Sequence, residues 1–344
     1  MSKRARAASS AGLVLTVILA AAVAPLGAQE QKKIPLGVRL SDVSINKVPF
    51  LVADREGLYA KYGLEVSLIP FSEDAAKVHG VPDNVSKNLR DAASKMEISV
   101  GGGAPGMVEK VTQSEPNDRV ILATTDAIVH WNVVARKGIN KVEELKGKTI
   151  AISSLSACTG TVALVLAKHM GWDPVQDVAL LEGNYSITPL QKGWADALIA
   201  YEVPLAMAMK AGYKPLDLDM RAWNEPIPCN GVWASKSWAH ANHDTVIRFL
   251  KALTEAIAMM KKDKEVAFRS IAHYYAINDR EQQQVIYNGA AEMPRKPYPA
   301  VDGIQNAMKL YDSAAMRRYK ATDFYDDSFM KELDSSGFID SLYK

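Results

Sequence analysis

The sequence predicts an α/β fold, in which β-strands and α-helices alternate along the chain. Apolar runs of strand length recur, and most of them are followed by a helical pattern that a glycine ends. The 344 residues are 48% hydrophobic and 23% charged, which is the balance of an ordinary globular protein. This length is enough for about two domains, and the composition excludes a disordered chain or a small disulfide scaffold.

The first 28 residues have the pattern of a secretory signal peptide. Lys3, Arg4 and Arg6 precede an uncharged apolar stretch over 11–24, and residues 25–27 break the helix before Ala28. The apolar stretch is short for a membrane span but fits a signal peptide, so we expect cleavage after Ala28 and export to a periplasm. An uncleaved membrane anchor is the alternative.

The charge of the chain argues against nucleic acid as a partner. The net charge is +2, and three of the 41 basic residues lie in the first 28 residues, which contain no acid. The rest of the chain is therefore close to neutral and lacks the basic surface that nucleic-acid binding requires.

Strands and helices alternate regularly up to about residue 124. The first helix begins at Pro49, where the missing N–H of proline costs nothing, and Gly63 ends it. A glycine-rich turn over 101–106 opens the next helix, which runs to about residue 112. The predicted strands are 34–40, 64–70, 98–100 and 120–124.

A second block of alternating elements begins near residue 125. Its helices begin near residues 161, 186 and 204, and Gly171, Gly193 and Gly212 end them. A short helix and turn over 142–148 precede the second strand of the block. The predicted strands are 131–135, 149–152, 178–181 and 197–201.

The last third of the chain is predicted to be mostly helical. A turn-rich crossover over 224–228 leads to a strand over 231–234, and Asp244 then caps a long helix. The apolar positions of this helix step by four and three, which predicts one continuous buried stripe. They are Val246, Leu250, Leu253, Ile257 and Met260.

Gly101, Gly103 and Gly106 form the spacing of a dinucleotide-binding fingerprint. The pattern follows a strand and opens a helix, and Asp126 follows 20 residues after Gly106. However, the pattern is not on the first strand, and Pro105 stiffens the turn. We therefore prefer a turn whose helix N-terminus offers N–H groups to another ligand, and we expect no cofactor.

The segment 153–161 is the second helix start of interest. It contains the hydroxyl residues Ser153, Ser154, Ser156, Thr159 and Thr161. One hydroxyl is enough to cap a helix, so the surplus predicts ligand contact, preferably with a negative or strongly accepting group. Simple capping is the alternative.

No pattern of catalytic residues stands out. The histidines do not cluster, and neither HExxH nor GxSxG is present. Cys158 stands at a helix N-terminus that would lower the pKa of a thiol, but no histidine is close in sequence. Only Cys158 and Cys229 are present, and the sequence leaves open whether they pair. We expect no enzyme activity and no metal.

Two pairs of polar residues follow predicted strands. Asn184 and Tyr185 come after one strand, and Tyr201 and Glu202 come after another. Ligands of open α/β sheets bind outside the carboxyl ends of the strands, so these four residues are candidate ligand contacts. The alternatives are core packing for Tyr201 and a solvated helix N-terminus for Glu202.

Several segments together resemble the exported solute-binding proteins of ABC importers, in the nitrate, sulfonate, taurine and thiamine-pyrimidine-precursor group. The first is the helix and strand over 49–66, with its Gly-Leu-Tyr element at Gly57. The second is the Leu-Lys-Gly-Lys turn within 144–151. The third is the Gly-x-x-Asp-Ala element over 193–197, followed by Glu202 and Pro204, between which Val203 intervenes.

The resemblance implies a type II periplasmic-binding-protein fold with a ligand cleft between two α/β lobes. Residues 29–124 and 225–344 would form the first lobe, and 125–224 the second. Crossings near 123–130 and 222–230 would be the only covalent links between the lobes, so that the protein closes like a hinge. The implied ligand contacts, several of them chosen above from the residues, are Ser41, Asp42, Asn46, Gly102, Gly103, Ala104, Thr125, Ser154, Ser156, Cys158, Thr159, Gly160, Thr161, Asn184, Tyr185, Tyr201 and Glu202.

The function implied is capture of a small organic solute and its delivery to a membrane permease with its ATPase, by a monomeric protein. The hydroxyls and helix N-termini favour an anionic head such as sulfonate or carboxylate. Asp42 and Glu202 instead favour a cationic or N–H-donating ligand. The alternative function is an exported enzyme or sensor acting on a pyrimidine-like or carboxylate ligand, although the cysteine-rich signature of the yeast pyrimidine-synthesising branch is absent.

Overall fold

Strands occur at ten places in the described part of the chain. The structure is a computed structural model, and it describes residues 32–70, 96–114, 117–183 and 186–344. The predicted signal peptide lies outside these residues. The strands are β1 (Ile34–Leu40), β2 (Leu64–Ile69), β3 (Ile98–Gly101), β4 (Arg119–Ile128), β5 (Asn132–Ala135), β6 (Thr149–Ala151), β7 (Ala179–Leu181), β8 (Ala197–Ala200), β9 (Lys214–Pro215) and β10 (Pro226–Ser235).

Helices fill most of the connections and the whole C-terminal third. They are α1 (Val48–Arg55), α2 (Leu58–Lys61), α3 (Gly103–Thr112), α4 (Cys158–Met170), α5 (Thr188–Lys192), α6 (Glu202–Lys210), α7 (Lys236–Ala241), α8 (His243–Lys262), α9 (Lys264–Tyr275), α10 (Arg280–Asn288), α11 (Val301–Leu310), α12 (Ser328–Ser335) and α13 (Phe338–Ser341). Short 3₁₀ helices occur at Ile45–Lys47, Val142–Leu145, Met220–Trp223, Gly289–Glu292, Met316–Arg318 and Ala321–Asp323. Among the described residues, no helix is both long enough and apolar enough to cross a membrane.

The strands form two mixed sheets, which confirms the predicted α/β class. One sheet has the order β2-β1-β3-β10-β4, with β10 antiparallel to both of its neighbours. The other has the order β7-β6-β8-β5-β9, with β5 antiparallel to both of its neighbours. We call the part built on the first sheet lobe 1 and the part built on the second sheet lobe 2. The chain crosses between them after β4 and returns before β10.

The long helix α8 confirms the predicted apolar stripe. All five of its predicted core positions are buried, and the helix packs against α1, α9 and α12. The predicted cap was wrong, because the helix begins at His243 and Asp244 lies in its first turn, paired with Arg248. The preceding helix α7 was not predicted. It is capped by Ser235, whose hydroxyl accepts the Trp238 N–H.

Several element boundaries differ from the prediction, one for a local reason and two because of strand pairing. The predicted helix over 49–62 is two helices, because Gly57 adopts a left-handed φ of 70° between them. The predicted strand over 120–124 continues to Ile128, and the crossover over 224–228 is largely strand. The cause in both places is that β4 and β10 pair along almost their whole length.

Two glycines of the fingerprint-like pattern are explained by close packing of α3 on β10. A Cβ atom on Gly103 would overlap the carbonyl oxygen of Pro228, and one on Gly106 would lie 2.6 Å from the Trp233 ring. Both positions therefore need the small residue for helix–strand packing. A Cβ atom on Gly101 would make only an ordinary contact with the hydroxyl of Ser41, at 3.4 Å.

Candidate functional site

A cluster of buried charged side chains lies where the two lobes meet. Lobe 1 contributes Asn46 and Lys47 from the 3₁₀ turn before α1, and Asp126 from β4. His130 lies in the crossing between β4 and β5, and Glu202 is the first residue of α6 in lobe 2. Burying a charge costs free energy unless the charge is paired, so a group of buried charges at one place is a candidate functional site.

His130 links the carboxylates of the two lobes. Its Nδ1 lies 3.3 Å from Oδ1 of Asp126, and its Nε2 lies 3.5 Å from Oε1 of Glu202. The Asn46 amide donates to Oδ2 of Asp126 at 3.0 Å, and the backbone N–H of Ile45 donates to Oε2 of Glu202 at 3.4 Å. The imidazole thus connects a strand of lobe 1 with the helix start of lobe 2.

The position of Glu202 follows from its local structure. It lies in the first turn of α6, where the helix dipole favours a negative charge. Gly289 packs against it, and a Cβ atom there would lie 2.9 Å from Oε1 of Glu202. The predicted alternative, a solvated helix N-terminus, was wrong because Glu202 is buried.

The pKa values in the cluster reflect burial and pairing together. Burial raises the pKa of the Asp126 carboxyl to about 6, partly opposed by the positive charges of His130 and Lys47. Burial by itself would lower the pKa of His130, but the charge of Asp126 and the hydrogen bond and charge of Glu202 raise it to about 9. The imidazole is therefore positively charged at neutral pH.

We expect the stability of the protein to fall between about pH 6.5 and 9. In this range His130 stays protonated in the folded protein but loses its proton in the unfolded chain, whose histidines have a pKa near 6.5. The stabilisation that the raised pKa of His130 provides is complete below pH 6.5 and is lost as the pH rises through 9. The free energy of unfolding should fall by about 3 kcal/mol over this range. The raised pKa of Asp126 adds a further fall between about pH 4 and 6. Urea unfolding at a series of pH values measures both.

The control for this pH dependence is His130→Gln/Asp126→Asn, which removes the titrating imidazole together with the carboxyl whose pKa the imidazole charge lowers. Both decreases in stability should be absent from this variant. An equal decrease above pH 6.5 in both proteins would show that another group is responsible.

Lys47 forms a second ion pair beside the first, in which the lysine is buried and Asp42 is partly exposed. Its side chain is 0% exposed, and its Nζ lies 3.2 Å from Oδ2 of Asp42 and donates to Oδ1 of Asn230. The Ser41 hydroxyl also donates to Oδ2 of Asp42, at 2.9 Å. The other carboxylate oxygen, Oδ1, is buried and has no hydrogen-bond partner among the described residues.

Asn230 holds this pair through an unusual backbone conformation. Its φ is 54°, in the left-handed region, and it lies on β10 immediately after Cys229. Its carbonyl accepts the Thr125 hydroxyl at 3.5 Å, and the same hydroxyl donates to the Asn46 carbonyl at 3.0 Å. Such conformations cluster at functional sites in proteins.

An aromatic wall lies beside His130. The rings of Trp131 and Tyr201 are 5.7 Å apart, and Trp131 meets His130 edge to face at 6.5 Å. Within the described ranges, the indole Nε1 of Trp131 is buried and has no partner. Buried donors are normally paired, so this N–H is a candidate ligand contact.

Four of the five hydroxyl residues at the start of α4 are engaged within the protein, which corrects the sequence-based argument for them. Thr159 Oγ1 accepts the Ser153 N–H at 2.9 Å and lies 2.6 Å from the Ser153 hydroxyl. Ser154 Oγ accepts the Ala157 N–H, and Thr161 Oγ1 pairs with the Tyr311 hydroxyl at 2.9 Å. Ser156 is the fifth residue of the set, and its contact with a ligand stays a prediction.

The two cysteines form a disulfide, which settles the pairing that the sequence left open. Cys158 at the start of α4 is bonded to Cys229 on β10. A bonded sulfur is not a nucleophile, so the thiol chemistry considered for Cys158 does not apply to this state.

The structure brings some of the predicted contacts together and separates others. Asp42, Asn46, Thr125, Tyr201 and Glu202 lie in or beside the buried cluster. Gly102 and Gly103 lie instead against the disulfide and Pro228, with Ala104 next to them in α3. Ser156 belongs to the same loop as Ser154, and Gly160 packs on its backbone. Asn184 and Tyr185 lie outside the described residues.

Sequence reasoning missed Lys47, Asp126, His130 and Asn230 as site residues. No local sequence pattern identifies Lys47 or Asn230. The burial of the lysine and the left-handed backbone conformation of the asparagine both depend on packing against distant parts of the chain. One signal was present, since Asp126 and His130 are four residues apart in the predicted crossing, next to Trp131.

The fold is that of the periplasmic binding proteins. The chain is similar to the alkanesulfonate-binding protein SsuA of Xanthomonas axonopodis pv. citri bound to MOPS, at 14% identity and a TM-score of 0.62 over 86% of this chain and 96% of that one. It is also similar to the nitrate-binding protein NrtA of Synechocystis PCC 6803, at 12% identity and a TM-score of 0.68 over 89% of both chains. The desulfurization enzyme DSZB shares the fold at 12% identity and a TM-score of 0.57, over 88% of this chain and 99% of that one.

These likenesses confirm the predicted type II periplasmic-binding-protein fold. Among curated proteins, none matches the sequence. A family model described as NMT1/THI5 like matches residues 44–267, which is more than half of the chain. The match includes the helix start at Pro49, the Leu-Lys-Gly-Lys turn and the segment around Glu202. The chain therefore belongs to the NMT1/THI5-like family.

Proposed function

We propose that this protein is an exported, periplasmic solute-binding protein of an ABC importer. It captures a small organic solute between its lobes and delivers the solute to a permease with its ATPase. The observation that carries the proposal is the buried cluster at the junction of the lobes. There, Asp42 of lobe 1 and Trp131 of lobe 2 each keep a buried polar atom with no partner among the described residues. The binding proteins that share the fold support the same function.

The charges of the cluster favour a solute that donates hydrogen bonds. Both cations are already engaged, Lys47 by Asp42 and His130 by Asp126 and Glu202. The free oxygen of Asp42 is an acceptor, so an N–H or O–H group of the solute suits it. The anionic head predicted from the sequence remains the second candidate, and the unpaired N–H of Trp131 is the feature that favours it.

A catalytic role has less support, although DSZB shows that an enzyme can have this fold. His130 is the obvious candidate for moving a proton. Its pKa is raised to about 9, so at neutral pH it already holds its proton and is a poor general base. Both of its nitrogens also face carboxylates of the protein itself.

Native mass spectrometry of the purified protein, followed by thermal shifts, tests the proposal. Solutes are compared in sets of three that share a carbon skeleton. The members of a set carry a sulfonate, a carboxylate or an amine. A solute present at a free concentration 100 times its dissociation constant stabilises the folded protein by about 2.7 kcal/mol, which raises the melting temperature measurably. Stabilisation by the amine supports a solute that donates hydrogen bonds, and stabilisation by the sulfonate supports a solute with an anionic head. Turnover of a solute without stabilisation would contradict a binding role.

We expect Trp131→Phe to weaken binding of that solute. The variant keeps an aromatic ring but removes the Nε1–H, which bonds to no described group of the protein. It also removes part of the buried indole, so the free energy of unfolding should fall, as it should in the matched control below. The loss of affinity should be roughly 2- to 13-fold for a neutral acceptor and roughly 13- to 160-fold for a charged one. Calorimetric titration measures it and so reports the charge of the contacting atom.

Trp233→Phe is the matched control for this measurement. Trp233 also has a buried Nε1 without a partner among the described residues, but it packs in a separate core with Ile121 and Phe324. Its variant should bind the solute as the wild type does. Equal affinity of the Trp131 variant and the control would place the solute away from Trp131.

A further inference from the structure

We propose that the Cys158–Cys229 disulfide is a covalent latch that limits how far the two lobes can open. Cys229 lies on β10 opposite Asp126 of β4, so it belongs to the sheet of lobe 1 beside the crossing. Cys158 is the first residue of α4 in lobe 2. The bond is therefore a third covalent connection between the lobes, which corrects the expectation that only the two crossings join them.

The bond leaves little freedom at its two ends. The Cα atoms of disulfide-bonded cysteines are usually 4.4–6.8 Å apart, and here they are 5.9 Å apart. The start of α4 can thus move away from β10 by only about 1 Å while the bond is intact. A cleft that opened at this point would need a far larger movement.

Weaker contacts surround the latch and could not replace it. The hydroxyl of Tyr311, immediately after α11, donates to the Leu155 carbonyl at 2.8 Å and pairs with Thr161. Lys168 of α4 pairs with Glu225 just before β10, at 3.0 Å, with the lysine mostly exposed. Contacts of this kind break and re-form readily, whereas the disulfide holds the same two surfaces together permanently.

The latch determines where opening can occur. With α4 held against β10, opening must separate other contacts between the lobes, such as those where Glu202 meets Ile45 and α6 packs on α10. Opening is then a pivot about the disulfide. The consequence for solute exchange rests on the proposed function, while the restriction on opening does not.

Small-angle scattering and amide hydrogen exchange test the latch without any solute. Three forms are compared, namely the oxidised wild type, the wild type reduced with dithiothreitol, and the Cys158→Ala/Cys229→Ala variant. Dithiothreitol supplies two electrons and two protons, becomes a cyclic disulfide, and leaves two thiols in the protein. Without the bond we expect a larger radius of gyration and at least ten-fold faster exchange over 153–161.

The controls separate the latch from other effects. Dithiothreitol should not change the alanine variant, and exchange within α8 should accelerate by no more than the measured loss of global stability accounts for. If the variant does not fold, the reduced wild type at low temperature carries the comparison, with circular dichroism to confirm its fold. Equal radius and equal exchange with and without the bond would overturn the proposal. So would two thiols that react with a labelling reagent before reduction. Failure to bind any solute would count against the proposed function alone.

Discussion

Replacing Cys158 and Cys229 together with alanine should lower the free energy of unfolding by about 4 kcal/mol. The two residues are 71 positions apart, so their bond closes a long loop and removes much of the conformational entropy of the unfolded chain. A loss of this size is a large part of the stability of an ordinary domain. Urea unfolding of the oxidised wild type and the variant measures it.

The reduced wild type serves as the matched control, because it lacks the bond but keeps both side chains. It should lose nearly as much stability as the alanine variant, and the difference between them reports the packing of the buried Cys229. A loss below about 1 kcal/mol in both forms would mean that the bond does not constrain the unfolded chain as a loop of this length should.

Replacing His130 with glutamine should cost about 3–5 kcal/mol at pH 7. The substitution removes the positive charge that lies between Asp126 and Glu202 and leaves two buried carboxylates facing each other. A buried ion pair adds little beyond an apolar substitute, but the removal of one partner leaves a charge without compensation. Chemical unfolding at constant pH and salt measures the loss.

His243→Gln is the control for this second prediction. His243 also pairs with a carboxylate, since its Nε2 lies 2.8 Å from Glu332, but both side chains are about half exposed. Exposed pairs contribute roughly 0–1 kcal/mol, so this variant should be close to the wild type. Equal effects of the two substitutions would show that burial of the His130 pair is not what makes it important.

Most of the fold could be predicted from the sequence because local rules decide it. The apolar stripe of α8 follows from helical periodicity, and Gly63, Gly171 and Gly193 adopt the left-handed φ that ends their helices. The segments that indicated the family lie within the matched residues 44–267. Boundaries failed where pairing between distant strands extended an element, as for β4 against β10.

The site was predicted less well, and the residues that were missed show why. The hydroxyl of Thr161 in α4 looked like a surplus because its partner is Tyr311, 150 positions further along the chain. Asn46 and Asp126 are 80 positions apart, and Ile45 and Glu202 are 157 apart. A pattern within a short window contains no information on such partners.

The sequence by itself determined the alternation of strands and helices and the family. Each of these depends on the order of apolar residues, glycines and short segments along the chain. Only the tertiary structure decided that Lys47 is buried against Asp42, that His130 lies between two carboxylates and that Cys158 reaches Cys229. The reason is physical, since the energy of a charge or a cysteine depends on what surrounds it in space, and folding brings those surroundings from distant parts of the chain.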